Sequence, residues 1–345
     1  MRVAPNHRYN LVMLIKDLGE IRLINRIQRI IKNRDKYNHI LSDNLLVGIG
    51  DDAAVWKASE CIQVATTDTM VEGIHFNKGT IPFRDVGWKA ISSNLSDVAA
   101  MGGKPLYALI NLGLRPETPV NDIDELYAGF LDACIEYNLQ IIGGNLVSSP
   151  TTFIAIQITG ESTHAPMLRS NAKPLDQIGI IGWIGSSKGG FELISHPRVI
   201  TSTKAKQQLL NAHLHPIPRL KEGNILIDNG VSAAMDISDG LLTDLHKFCE
   251  ASRVSAKIDG CKLPIEKALI NVFPDNYMDY ALNGGEDYAL MFSTSPKIME
   301  HLKRIVPAPI SIIGNVEDGP IGEVIIIDKL RNHILTASSG WDHYK

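Results

Sequence analysis

Residues 48–76 read GIGDDAAVWKASECIQVATTDTMVEGIHF, with Asp51, Asp52 and Asp68 set among glycine, alanine and β-branched residues. The apolar run Leu45–Ile49 predicts a short strand ending in a turn that carries Asp51 and Asp52. Ile62–Ala65 predicts a second strand that runs out into Thr66, Thr67 and Asp68. Two strands thus deliver three carboxylates and two hydroxyls to their ends. Carboxylates that close repel one another and are costly to hold without a cation. All-oxygen donors suit a hard ion such as magnesium, which takes a few carboxylates, waters and substrate phosphates. Any one of these aspartates alone reads as a solvated turn; the case for chemistry rests on the device recurring along the chain.

At 345 residues the chain has room for two domains, each burying its own core. Hydrophobic residues make up 44% and charged residues 21%, the balance of an ordinary globular enzyme. A formal charge of -4 argues against a protein that binds nucleic acid by neutralising phosphates. Cys61, Cys134, Cys249 and Cys261 are scattered without a CxxC spacing, which disfavours a zinc site or disulfide framework and fits a reducing cytoplasm. No apolar run reaches membrane-spanning length. The first residues, MRVAPNHRYNLVMLI, are mildly basic with an apolar run too short for a signal peptide. Residues 1–15 read as a flexible extension, with Met1 or Met13 as the native start.

Upstream of the opening stretch, Leu18, Ile21, Ile24, Ile27 and Ile31 recur at helical spacing and predict an amphipathic helix. Downstream, Asp85 reads as the cap of a helix to Ala100 that buries Val86, Ile91, Leu95 and Val98 and stops at Gly102-Gly103. Asn94 and Asp97 share one of its faces. Leu106–Leu114 reads as a strand, and Asn121 as the cap of a helix bearing Ile123, Leu126, Tyr127, Phe130, Leu131 and Cys134. Gln140–Ile142 reads as a short strand ending in Gly143-Gly144-Asn145, and Phe153–Thr159 as another strand. The polar, proline-bearing run 160–177 marks a boundary. Beyond it Ile178–Ile184 opens a second series, with helices near 187–195, 203–213 and 219–229. The strand Val231–Ile237 leads through Ser238-Asp239-Gly240 into a helix with Leu241, Leu245 and Phe248 on one face. A strand Tyr288–Phe292, a helix from Pro296 and strands near 310–316 and 323–327 follow. The alternation predicts mixed α/β (α+β) layers in two domains, 16–163 and 164–345.

Acidic clusters at glycine-bearing turns recur: GDD at 50–52, TTD at 66–68, Asp97 ahead of a glycine pair, DISDG at 236–240 and GGED at 284–287. Glycine lets backbone approach a ligand beside the waiting carboxylates. Ser238, between a strand and a helix, can cap that helix or touch a phosphate near its N-terminus. GIGDDA at 48–53 nearly matches a dinucleotide fingerprint, but two aspartates stand where the pyrophosphate would approach. GSSKGG at 185–190 lacks the GK[ST] ending of a Walker A loop, and no nucleophile elbow or metalloprotease motif is present. Metal carboxylates without an enzyme nucleophile suit phosphoryl transfer between two phosphates. The acceptor oxygen is already ionised, so catalysis reduces to charge neutralisation and in-line positioning.

GIGDDAAV, TTDTMVEGIHF, NLSDVAAMGG, IIGGN, MDISDGLLTDL, NGGEDYALMF, IGNV and the closing GWDHYK, in this order, resemble the thiamine-monophosphate kinases. The similarity runs over residues 16–345 and reaches the wider aminoimidazole-ribonucleotide-synthetase-like superfamily. It implies a two-domain PurM-like architecture, with an N-terminal mixed-sheet domain that dimerises through its sheet and a C-terminal α/β domain. It implies a cytoplasmic homodimer that phosphorylates thiamine monophosphate to thiamine diphosphate, with ATP as co-substrate and several magnesium ions. By the same match Asp52, Thr66, Thr67, Asp68, Asp97, Asn145, Asp236 and Asp239 take the metal positions. Gly144, Asn145, Arg169 and Ser238 take ATP-contacting positions, and His75, Glu286 and Trp341 take substrate-contacting ones.

The chain also departs from that pattern. Asn145 stands where the family carries aspartate, so one anionic ligand becomes an amide, and Leu146 and Val147 replace neighbouring hydroxyls. The family's glycine-rich loop reads GSSKGG at 185–190, and HLHPIPR has His215 for arginine. These changes leave open a divergent paralogue that binds nucleotide or thiamine phosphate without normal turnover. Another ATP-driven chemistry of the superfamily is disfavoured, since no glycine-flanked cysteine lies near the start and none lies at the C-terminus.

Overall fold

The alternation that begins at Ile62 does not stop at Ala65. It continues for 10 residues, so Thr66, Thr67 and Asp68 project from within a strand. In the computed structural model, which describes residues 12–40, 42–49, 53–199, 201–328, 330 and 332–333, this strand is the edge of the first of two large sheets. The predicted GDD turn at 51–52 lies outside the described residues, as does the closing GWDHYK.

The first unit begins with α1 (Ile15–Leu18), α2 (Glu20–Lys32) and α3 (Asp35–Asn38). A small antiparallel pair follows, β1 (Leu45–Val47) and β2 (Val55–Trp56). Then come β3 (Ile62–Val71), α4 (Phe83–Ala100), β4 (Lys104–Leu114), α5 (Val120–Tyr137), β5 (Gln140–Ser148) and β6 (Phe153–Ser162). Its sheet has the order β3-β6-β4-β5, with β4 and β5 parallel and the other pairs antiparallel. The Gly143-Gly144-Asn145 run read as the end of a short strand is the middle of β5, because pairing with β4 overrides its turn-like composition. Residues 13–15, read as part of an extension, are tied to the body, with Val120 N–H donating to Met13 and Ile15 N–H to Thr118 at 2.9 Å each.

The second unit comprises β7 (Gln177–Ile181), α6 (Ser186–Ser195), α7 (Thr203–Leu214), α8 (Leu220–Asp228), β8 (Ala233–Ile237), α9 (Leu241–Ser252) and β9 (Ser255–Asp259). After it come α10 (Lys267–Val272), α11 (Tyr277–Asn283), β10 (Ala289–Thr294), α12 (Pro296–Ile305), β11 (Ile310–Glu317) and β12 (Val324–Ile327). The sheet order is β12-β9-β11-β7-β10-β8, parallel at β12–β9 and antiparallel elsewhere. Both faces are covered, as alternation along β10 requires: Met291 joins Leu245 and Phe248 of α9, while Leu290 and Phe292 join Leu226, Met299 and Leu302.

Sequence spacing placed the helices well and their ends and phases less so. All six residues predicted inside α5 are at most 5% exposed, each contributing about 1.5–3 kcal/mol if apolar and fully buried. Along α2 the buried stripe is Leu23, Ile27 and Ile31, while Ile21 is 75% exposed. Neither Asp85 nor Asn121 is a cap. Pro82 and Pro119 hold the N-cap positions of α4 and α5, where a missing N–H leaves nothing unsatisfied.

Helix α4 lies between the units, packing on β3, β4, β6 and α5 and, on its other side, on α8, β8 and β10. Its crossing with α5 is backbone to backbone. A Cβ on Gly87 would stand 2.3 Å from the Leu126 carbonyl oxygen, and one on Gly129 only 1.9 Å from that of Arg84.

Candidate functional site

Strand alternation sends Thr66 and Asp68 of β3 to the side facing α4 and Thr67 to the other. Thr66 Oγ1 donates to Asp97 Oδ2 at 2.5 Å, so a strand hydroxyl braces a helix carboxylate. Thr67 Oγ1 donates instead to the Ile156 carbonyl oxygen at 3.0 Å, which ties it into the sheet. Across the units, Asp236 of β8 is 7% exposed and accepts from Ser96 Oγ of α4 at 2.8 Å. Asp239 lies in the turn that follows. Here one buried carboxylate organises the backbone: Asp244, on the first turn of α9, accepts from the N–H groups of Ser238 and Asp239 at 3.0 and 2.9 Å. Lys247 bonds Asp244 at 3.2 Å and forms a short ion pair with Asp239. Ser238 does not cap α9, whose N-cap position is Gly240.

Asp68, Asp97, Asp236, Ser238 and Asp239 line one cavity of about 530 Å³, together with His75 and Glu286. His75 Nδ1 accepts from the Val71 N–H at 3.0 Å, fixing the ring. Glu286 sits on a strained turn, with φ at +63°, and Tyr288 follows at +50°. The Glu286 N–H donates to Ser238 O at 2.7 Å, so the NGGED and DISDG turns fold onto one another.

Burial, then the charges of Asp97 and Asp239, push Asp68 up to about 6. Burial and Asp97 push Asp236 up to about 8, with Ser96 holding it down in part. Burial also raises Asp97, opposed by its bond from Thr66 and by the charge of Arg169. Glu286 goes the other way: burial would raise it, but Lys89 and His213 more than offset this and hold its carboxyl below the usual range.

A second cavity, of about 840 Å³, is lined by Gly143, Gly144 and Asn145 of β5 with Ile49, Trp56 and Asn111. The sequence-predicted site residues therefore divide between two cavities. Asp68 and Gly144 do share one cross-strand row, through Ile156 and Ile110. Three strand spacings make that about 14 Å. Glycine at 144 is required by the neighbouring strand, since a Cβ there would stand 1.9 Å from the Ile110 carbonyl oxygen. Arg169 is exposed, and its carbonyl oxygen accepts from Ser252 Oγ at 2.7 Å; its charge reaches Asp97. Asp52 and Trp341 lie outside the described residues.

The donor set fits a hard cation. Asp68, Asp97, Asp236 and Asp239 line one cavity, and burial together with their neighbouring carboxylates pushes Asp68 and Asp236 well above the ordinary range. Among the described residues no three carboxylate, histidine or cysteine side chains are gathered closely enough to hold an ion unaided. Magnesium bound here would draw on phosphate and water oxygens as well, as is its habit.

The segment 185–190 begins α6, and Asp287 occupies the helix entrance, accepting from the N–H groups of Gly185 and Ser187 at 2.6 and 3.0 Å. Those donors are engaged, and the loop's contribution to the carboxylate cavity is Lys188, whose ammonium lies 4.8 Å from the Phe191 ring centroid. His215 bonds Asp85 at 2.9 Å. Lys89, His213, Asp244 and Lys247 were not singled out from sequence. A lysine among the inward residues of α4 was a legible signal; the others depend on partners brought close by the fold.

The AIR synthase related protein family models match this chain, the N-terminal domain over residues 50–162 and the C-terminal domain over 181–327. A thiamine-monophosphate kinase of Buchnera aphidicola is 35% identical over 325 residues, 92% of this chain and 97% of the relative. The crystal structure of thiamine-monophosphate kinase from Stenotrophomonas maltophilia superposes with a TM-score of 0.76 at 31% identity, covering 88% of this chain and 95% of that one. A structure described as AaThiL complexed with AMPPCP and TMP gives 0.75 at 31% identity, covering 97% and 100%.

Proposed function

The chain belongs to the thiamine-monophosphate kinase family, and on that premise we propose how its two cavities share the reaction. It phosphorylates thiamine monophosphate with ATP, yielding thiamine diphosphate. The observation that carries the division is that Asp68, Asp97, Asp236 and Asp239 line the same cavity as His75 and Glu286. One wall is built for phosphates and their cations, the other for an organic cation.

The acceptor is a phosphate oxygen that is ionised at neutral pH, so no side chain has to remove a proton. The remaining task is to hold two like-charged phosphates in line. Asp68, Asp97, Asp236 and Asp239, with Asp52 by sequence match, would hold magnesium, which would supply charge neutralisation for the phosphates. Thr66 keeps Asp97 aimed, and Ser96 does the same for Asp236. Arg169 is placed to fork onto phosphate oxygens. Glu286 and His75 receive the thiamine end, where a carboxylate suits the cationic thiazolium; Trp341, by sequence match, offers it an aromatic face. ATP takes the second cavity, along Gly144 and Asn145.

The assembly is a homodimer through the first sheet. Supporting this, Thr67, Thr69, Asn111 and Gln157 lie on the face away from α4 and are exposed, a flat surface suited to sheet-on-sheet pairing. An ATP-consuming enzyme of this kind belongs in the cytoplasm.

Purified protein given ATP, magnesium and thiamine monophosphate is expected to produce thiamine diphosphate and ADP. Binding of both substrates without diphosphate would identify a non-catalytic binder instead. Sedimentation at micromolar concentration is expected to give twice the mass of the chain, and a monomer would refute the assembly.

A further inference from the structure

Lys89 points from α4 into the protein with its side chain 3% exposed. A lone ammonium so placed is costly unless paired. Its partner is Glu286, whose Oε1 lies 2.8 Å from Nζ. His213 of α7, 1% exposed, brings its ring nitrogens to 3.3 and 3.5 Å from the same ammonium and 3.7 Å from Glu286 Oε2. Ser187 Oγ, 3.1 Å from His213 Nδ1, fixes the ring. Lys89 comes from the first unit and the other three from the second, so the cluster closes across the boundary behind the cavity wall that Glu286 and His213 line.

Glu286 needs such a brace. Its backbone is held at positive φ, and the cavity it faces carries Asp68, Asp97, Asp236 and Asp239. Against that field an unsupported carboxylate would take up a proton or turn away. The pair with Lys89 is net neutral, so what the lysine supplies is direction. One oxygen is pinned into the wall, and a third of the side chain stays open to the cavity.

We propose that Lys89 is a positioning residue for the thiamine end of the substrate, acting through Glu286, with His213 and Ser187 holding the ammonium in place. This rests on the reading of Glu286 as a substrate contact. Lys89 does not itself line the cavity, so its effect is confined to the step that Glu286 serves.

The test is a double-mutant cycle read as separate KM values. Lys89→Met is expected to raise KM for thiamine monophosphate about tenfold or more. KM for ATP stays within about twofold, since the two sites are separate. Glu286→Gln raises the same KM, and adding Lys89→Met to it raises it no further. A repeated loss in the Glu286→Gln background, or a parallel rise in KM for ATP, overturns the proposal and makes Lys89 a general structural residue. Should Lys89→Met alone not fold, the double variant against Glu286→Gln still decides. A double variant that fails to fold where Glu286→Gln folds overturns it too. Calorimetric binding of thiamine monophosphate to the unmodified protein separates the two readings. If none binds, the functional reading fails and this one with it; if it binds and Lys89→Met binds equally, only the role of Lys89 fails.

Discussion

Ser96 of α4 donates to Asp236 of β8 at 2.8 Å, a hydrogen bond between the first unit and the second in the floor of the carboxylate cavity. The site is therefore assembled by the packing of two units and belongs to neither alone.

Asp68→Asn keeps the shape of the β3 side chain and removes its charge. With Asp97, Asp236 and Asp239 left for the cation, kcat is expected to fall at least about a hundredfold, comparable to losing one preorganised charge-stabilising group. The variant should fold, because the change relieves repulsion. Steady-state kinetics across a magnesium titration checks this, and full turnover at limiting magnesium would refute the assignment.

The metal-free protein should lose stability as the pH rises from about 6.5 to 8. Asp68 and Asp236 have folded-state values raised to about 6 and about 8, so the folded chain binds more protons than the unfolded one between about 4 and 8. Their stabilising contribution is full below about 4 and is lost as the pH passes their folded values. His213, lowered to about 3 by burial and Lys89, acts oppositely between about 3 and 6.5, which is why the clean window lies above that. The slope is at most about 1.4 kcal/mol per pH unit per group. Thermal melts should show the fall, Asp236→Asn should reduce it in part, since burial also raises Asp287 to about 8, and magnesium should reduce it.

Asn145 is exposed on β5 in the single chain, on the same face as Asn111, so a carboxylate there is not buried unpaired within the fold. Asn145→Asp should leave stability unchanged within about 0.5 kcal/mol. If ATP lies in the second cavity, the added charge should lower the magnesium needed for half-maximal turnover, by about tenfold if it restores one charge-assisted contact. KM for thiamine monophosphate should not move. An unchanged or higher magnesium requirement would contradict the placing of the nucleotide.

Gly129→Ala drives a methyl to 1.9 Å from the Arg84 carbonyl oxygen, a backbone atom that cannot swing aside. The two helices must separate, at about 1–3 kcal/mol or more. Urea denaturation measures the loss, and a midpoint like that of the unmodified protein would show that the crossing is looser than its geometry.

Much of this was legible in the sequence because it follows from local pattern. The 3.6-residue spacing of Ile123, Leu126, Phe130 and Cys134 fixed α5, and acidic glycine turns pointed to the cavity. What escaped has a physical reason in each case. Thr66, Thr67 and Asp68, or Gly143, Gly144 and Asn145, look like chain endings by composition, yet hydrogen bonds to β6 and β4 carry them through as strand. On α2 a surplus of isoleucines hid the phase, since Leu23 rather than Ile21 turns inward. Lys89 and Asp244 have significance through partners, Glu286 and the Ser238–Asp239 backbone, that local pattern did not connect. The division of Gly144 and Asn145 from the carboxylates is a matter of register, which motifs do not encode.

Helix α4 is buried over most of its length, from Phe83 at its start to Ala100 at its end, with Arg84 exposed. A clamshell motion of the two units would have to peel a buried surface off it and break the Ser96–Asp236 and Lys89–Glu286 contacts. That makes α4 the pivotless spine of the molecule. Its amide protons should be among the last to exchange with deuterated solvent, in the presence or absence of substrate.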